Sequence, residues 1–175
     1  EMRLPVASSY PASAVRGPVI YLFGGRGTAE TLLDTIATLN METGEVKRLE
    51  MTLPAARTSM TAITVGDAVW LLGGESVAGL EREILAFEPA TGKARYAGSK
   101  LPEPRLGAAV APSAKGWLLL GGLNAEGPQD VIDVIDPDGK VHRQPHGLPF
   151  PLTGAAAEQV GASVFVLGGR TPKRV

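Results

Sequence analysis

Two histidines, His142 and His146, are the only imidazoles in the chain, and they stand four residues apart. On a helix that spacing brings two metal ligands, or an acid and a base, onto one face. Here Pro145 lies between them and the flanking residues read as a strand end and a loop, so two exposed loop histidines are expected. Asp130, Asp133, Asp136 and Asp138 crowd one stretch and could suggest calcium, but the spacing that gathers oxygen ligands in a calcium loop, with its distal Glu, is missing. Alternation along a strand that ends in an Asp-Pro-Asp-Gly turn accounts for them. The absence of Cys excludes a thiol nucleophile, a Cys-ligated zinc and a disulfide scaffold. A Ser nucleophile needs an adjacent base, and both histidines fall on a peripheral strand. Glu75, Glu81 and Arg26 could do acid–base work if a fold gathered them in one mouth, yet no motif does so. No catalytic residue, metal or cofactor is assigned.

Arg57 and Arg105 each stand four residues after the Leu of a Leu-Pro pair. A guanidinium can hold an anion, or it can bridge backbone carbonyls or a carboxylate. Recurrence at one position of a repeat favours a structural hydrogen bond or ion pair between units.

The elements that must position these residues come from that repeat. An apolar run ends in Gly-Gly four times, at Gly24-Gly25, Gly73-Gly74, Gly121-Gly122 and Gly168-Gly169, with first glycines 49, 48 and 47 residues apart. Leu-Pro occurs at Leu4, Leu53, Leu101 and Leu148, each 20 residues before its Gly-Gly. Asn40 to Gly44, Glu88 to Gly92 and Asp136 to Gly139 close β-branched or apolar stretches and read as hairpin turns.

One unit therefore reads as four strands. Strand A is small and apolar (59–64, 107–111, 154–157), and turns near Gly17, Gly66, Gly116 and Gly161 lead to strand B, which ends at the Gly-Gly. A loop leads to strand C (35–40, 84–88, 131–136), and the hairpin turn to strand D (46–49, 94–97, 141–144). Units fall at 4–52, 53–100, 101–147 and, in part, 148–175. Glycine lets the chain leave a crowded strand with dihedrals other residues avoid. Glycines also interrupt every window long enough for a helix.

The chain has 17 basic and 18 acidic residues, and no block of five like charges, so nucleic acid and anionic membranes are not expected partners. Runs such as Val19 to Phe23 are far shorter than the roughly 20 residues of a membrane helix. The opening Glu1-Met2-Arg3-Leu4-Pro5 lacks a signal-peptide layout. A soluble protein is expected, cytoplasmic or exported with its signal removed.

With hydrophobic-Gly-Gly, Leu-Pro-x-x-Arg and Asp/Glu-Pro-x-Thr-Gly in phase at a period near 50, the sequence resembles the kelch repeat family. The resemblance implies an all-β fold, a β-propeller of four-stranded antiparallel blades, about three and a half of them here. It departs from the family pattern where Leu39, Phe87 and Ile135 replace the strand-C Tyr, and where strand D lacks its Trp. Propellers of this kind close with six or seven blades, about 290–340 residues at this period. The chain is therefore expected to be part of a longer one, or to complete a ring with further copies of itself.

In kelch proteins that bind peptides, pocket residues follow the Gly-Gly and follow the lead-in Arg by two positions. Carried over by position, the first set is Arg26, Glu75, Leu123 with Asn124, and Arg170, and the second is Tyr10, Ser59, Gly107 and Gly154. The function expected is a non-enzymatic scaffold that binds protein or peptide through loops on one face. The alternative is a carbohydrate-binding or carbohydrate-active propeller of the epimerase type. The loops carry almost none of the aromatics that stack on sugars; Trp70 and Trp117 read as core.

Overall fold

The computed structural model describes residues 4–172; Glu1 to Arg3, on which the absence of a signal layout partly rests, and the last three residues of the fourth unit lie outside the described residues. Three four-stranded antiparallel sheets and a hairpin succeed one another along the chain. The first sheet holds β1 (Ala12–Arg16), β2 (Val19–Phe23), β3 (Thr35–Asn40) and β4 (Val46–Thr52). The second holds β5 (Thr61–Val65) and β6 (Ala68–Leu72). After a small ribbon of β7 (Glu75–Ser76) and β8 (Gly79–Leu80), it continues with β9 (Glu83–Glu88) and β10 (Lys93–Lys100). The third repeats this plan with β11 (Ala109–Ser113), β12 (Gly116–Leu120), the ribbon β13 (Leu123–Asn124) and β14 (Gly127–Pro128), β15 (Ile132–Ile135) and β16 (Val141–Arg143). The fourth unit is the hairpin of β17 (Thr153–Val160) and β18 (Ser163–Arg170). The described residues include one 3-10 turn, Thr28–Glu30, and no α-helix, so no helix is long and apolar enough to cross a membrane.

The strand bounds differ from the sequence reading in two informative places. Strand A opens at Thr61 and Ala109, two residues later than expected and just past the left-handed Ser59 (φ +55°) and Gly107 (φ +60°), whereas β17 runs from Thr153 through the left-handed Gly154 (φ +65°). Gly116 is the first residue of β12, and the turn before it is Ala114-Lys115. Two of the stretches read as B–C loops contain the ribbons β7–β8 and β13–β14.

Strands β1, β5, β11 and β17, the first main strand of each unit, form the inner row and lie side by side in chain order. The core sits between successive sheets. Phe23 and Tyr21 of the first sheet meet Phe87 of the second, with ring centroids 5.2 and 5.4 Å apart, over buried Val69 and Leu71. Ile63, Leu72 and Ile84 of the second sheet meet Leu119 and Ile135 of the third. Trp117 is half-buried, and its indole N–H donates to the Thr64 carbonyl at 2.9 Å, pinning the third sheet to the second.

Candidate functional site

The repeat's own joints build the site. In each of the three four-stranded sheets the first glycine of the Gly-Gly is left-handed, and its Cα faces the lead-in carbonyl of the following unit. A Cβ on Gly73 would run into the Arg105 carbonyl, and one on Gly24 or Gly121 into those of Arg57 or Leu152. The second glycine donates its N–H to the same carbonyl: Gly25 to Arg57 at 2.8 Å, Gly74 to Arg105 at 2.9 Å and Gly122 to Leu152 at 2.8 Å. Gly-Gly is thus a clamp between units as well as a strand exit.

The residue after the Gly-Gly then pairs with the lead-in. Arg26 pairs with Ser9, Glu75 with Thr58, Leu123 with Leu106 and Arg170 with Thr153. The next lead-in residue is Tyr10, Ser59, Gly107 or Gly154, all left-handed, with φ between +54° and +65°. These four join in a backbone belt. Ser59 N–H donates to Tyr10 at 3.0 Å, Gly107 to Ser59 at 3.1 Å and Gly154 to Gly107 at 2.8 Å. Tyr10 and Ser59 hold a conformation costly for residues with a Cβ.

The belt rims an open cavity of about 670 Å³ beside the inner strands. Tyr10, Ser59, Gly107, Gly154, Leu123 and Arg170 all line it. Arg26, Glu75 and Asn124 do not. Arg26 pairs with Glu75 at 2.6 Å and Glu30 at 3.2 Å, bridging the first two B–C loops. Asn124 donates to Glu103 at 3.2 Å and accepts from Gln129 at 2.8 Å, bracing its own loop.

Arg57 and Arg105 are fully buried. Their side chains bond within their own unit, not between units: Arg57 donates to Gly73 and Glu83 carbonyls at 3.4 and 2.8 Å, and Arg105 to Gly121 at 3.1 Å. The main chain of the same residues makes the bond between units. In the first unit the Ser8 hydroxyl takes the guanidinium's place and donates to Gly24 at 2.9 Å.

Sequence reasoning missed Asp133. It is fully buried, paired with Arg105, and accepts from Arg143 Nε at 2.6 Å. Arg143 also reaches Glu103 at 2.6 Å. Asp133 stands opposite Leu119 just as Leu85 stands opposite Leu71, and an aspartate at this apolar register position was the available signal. Burial, then repulsion by Arg143, lower the Arg105 pKa to about 10, which leaves it charged at neutral pH. Burial pushes the Glu103 carboxyl up, but Arg143, Arg105 and Asn124 outweigh it and hold it below its ordinary 4.5. A depressed carboxylate pKa contributes stability that is present above the unfolded value and is lost as pH falls through the folded one. Glu103→Gln is therefore expected to flatten the chain's stability profile below pH 4.5, measured by urea unfolding across pH; an unchanged acid limb would refute the pairing.

The four aspartates do not converge, and no cluster of three or more His or carboxylate residues suited to a metal occurs among the described residues. Asp136 accepts from Lys140 N–H and lies 3.3 Å from the exposed His142, which makes it a turn cap.

Over 176 residues, 97% of this chain, the sequence is 26% identical to Spermatocyte protein spe-26 of Caenorhabditis elegans, of which it spans 30%. It is also 26% identical over 178 residues, 93% of the chain, to Alpha-scruin of Limulus polyphemus, of which it spans 19%. The solved structure of YjhT superposes with a TM-score of 0.80 at 20% identity, over 93% of this chain and 59% of that one, so the two share a fold. The chain spans less than a third of both curated relatives. No protein-family model matches it.

Proposed function

We propose that the chain is a run of kelch-type β-propeller blades that binds protein or peptide at the mouth ringed by Tyr10, Ser59, Gly107 and Gly154. The single observation that carries this reading is the cavity of about 670 Å³ on which all four repeat-equivalent positions converge. A rigid belt that presents one residue per unit, with Arg170 and Leu123 beside it, suits an extended ligand that touches several units at once. The apolar and hydroxyl lining, poor in carboxylates, supports binding without catalysis. Extensive matches to two longer relatives support the repeat reading and leave the whole protein's partners open.

Selection of a peptide library against the chain tests this. The expected result is micromolar peptides whose affinity falls about tenfold or more, roughly one hot-spot contact, in Tyr10→Gly and in Arg170→Ala. Tyr10 is exposed and left-handed, so glycine removes the phenol while relieving the backbone; the variant should fold at least as stably as its parent. Hits on a glycan array with none among peptides would reverse the reading.

A further inference from the structure

We infer that Leu106 and Leu123 form an apolar subsite of the mouth, which selects a peptide carrying one large apolar side chain (Leu, Ile, Met or Phe). This rests on the mouth as the binding site and names what the mouth prefers.

The repeat supplies the comparison. In every unit the residue after the Gly-Gly pairs with the lead-in residue that precedes the belt. Three units set a charge opposite a hydroxyl there: Arg26 with Ser9, Glu75 with Thr58, and Arg170 with Thr153. The third unit sets two leucines there, Leu106 and Leu123. Main chain makes the joint in either case. Leu106 N–H donates to Leu123 at 3.0 Å and Leu123 N–H to Leu106 at 2.8 Å, just as Thr58 and Glu75 exchange bonds of 3.0 Å. Nothing in the joint calls for leucine.

The core does not call for it either. Both leucines are half-buried, and both line the cavity. Neither belongs to the two buried clusters between the sheets, nor to the partly buried side chains packed against them. Leucine also forfeits a contact with the belt. The Thr58 hydroxyl lies 3.5 Å from the Tyr10 carbonyl, and the Thr153 hydroxyl 3.4 Å from the Gly107 carbonyl. Leu106 has no hydroxyl to offer, and among the described residues the Ser59 carbonyl receives only the Gly107 N–H. A repeat position that breaks the pattern of its copies without a structural return marks a functional site.

The surroundings suit an apolar side chain. Gly107, the belt residue after Leu106, adds no side chain of its own, and Val110 extends the apolar wall along β11. Asn124 is held by Glu103 at 3.2 Å and Gln129 at 2.8 Å, so the ribbon β13–β14 fixes Leu123 before a ligand arrives. A side chain laid on both leucines takes their remaining apolar surface out of water.

The test selects peptides from a random library on the full chain and measures their affinities by fluorescence anisotropy. The expected ligands share one large apolar residue, and its replacement by Ser weakens binding about ten- to a hundredfold. Leu106→Thr with Leu123→Glu gives the third unit the second unit's own pair. This double variant should weaken the parent peptide as much and the Ser peptide hardly further. The same backbone carries that pair one unit earlier, so the urea midpoint should stay near the parent's. Leu123→Ala should give an intermediate loss of affinity. A midpoint falling as far as in Leu119→Ala, which removes a buried core side chain, would show that the leucines serve packing and would overturn the inference. Ligands weakened by Tyr10→Gly but not by the leucine exchange would also overturn it, and would leave the mouth standing as a binding site. No ligands, or ligands indifferent to Tyr10→Gly, would remove the mouth and the subsite together.

Discussion

Gly73→Ala is expected to destabilise the chain by about 3–5 kcal/mol, and Gly168→Ala by about 1–2, although both replace the first glycine of the same motif. The two share a left-handed backbone, φ +62° and +69°, so the conformational cost of a Cβ is common to both. They differ in what the Cβ meets. At Gly73 it enters the space of the Arg105 carbonyl, and moving that carbonyl also breaks the 2.9 Å bond from Gly74 that joins the second unit to the third. At Gly168 nothing lies within 4 Å. Urea unfolding of both variants measures the gap. Equal losses would mean that the motif serves its own strand and not the joint between units.

Arg105→Met is expected to cost about 3–5 kcal/mol, because it strands the Asp133 carboxylate in the core. Arg143 still reaches Asp133 from the half-exposed side, which places the value toward the lower end. Adding Asp133→Leu should restore most of the loss. The second sheet already tolerates a leucine there: Leu85 is fully buried at the equivalent position, with Arg57 buried where the third sheet has Arg105. Arg57→Met, by contrast, leaves the Gly73 and Glu83 carbonyls short of a donor and the partly exposed Glu81 without its partner, for about 1–3 kcal/mol. Denaturant midpoints of the three variants decide the matter. If the double variant is no more stable than Arg105→Met, the carboxylate is not what makes the single substitution costly.

The four-strand plan of the first three units was legible because its causes are local, although the ribbons β7–β8 and β13–β14 were read as loops. Apolar runs closed by Gly-Gly, Thr-Gly turns and Leu-Pro starts need no knowledge of distant residues, and β3 falls on the expected residues 35–40. The later start of β5 and β11 was not legible at Ser59, since nothing in a serine announces a left-handed φ that neighbouring units impose. At the mouth, position in the repeat pointed to Tyr10, Ser59 and Arg170, which line the cavity, and also to Arg26, Glu75 and Asn124, which do not. The second group is drawn away by partners brought close by folding: Glu75 lies 49 residues from Arg26, and Glu103 21 residues from Asn124.

The sequence by itself determined the repeat, its all-β character, the hairpin turns after strand C and the absence of thiol chemistry, because backbone preference and side-chain type act over a few residues. Only the tertiary structure decided that Gly-Gly is a clamp between units and that Asp133 is a buried counter-ion. Each depends on which carbonyl or guanidinium arrives from tens of residues away, and short-range pattern carries no record of that distance.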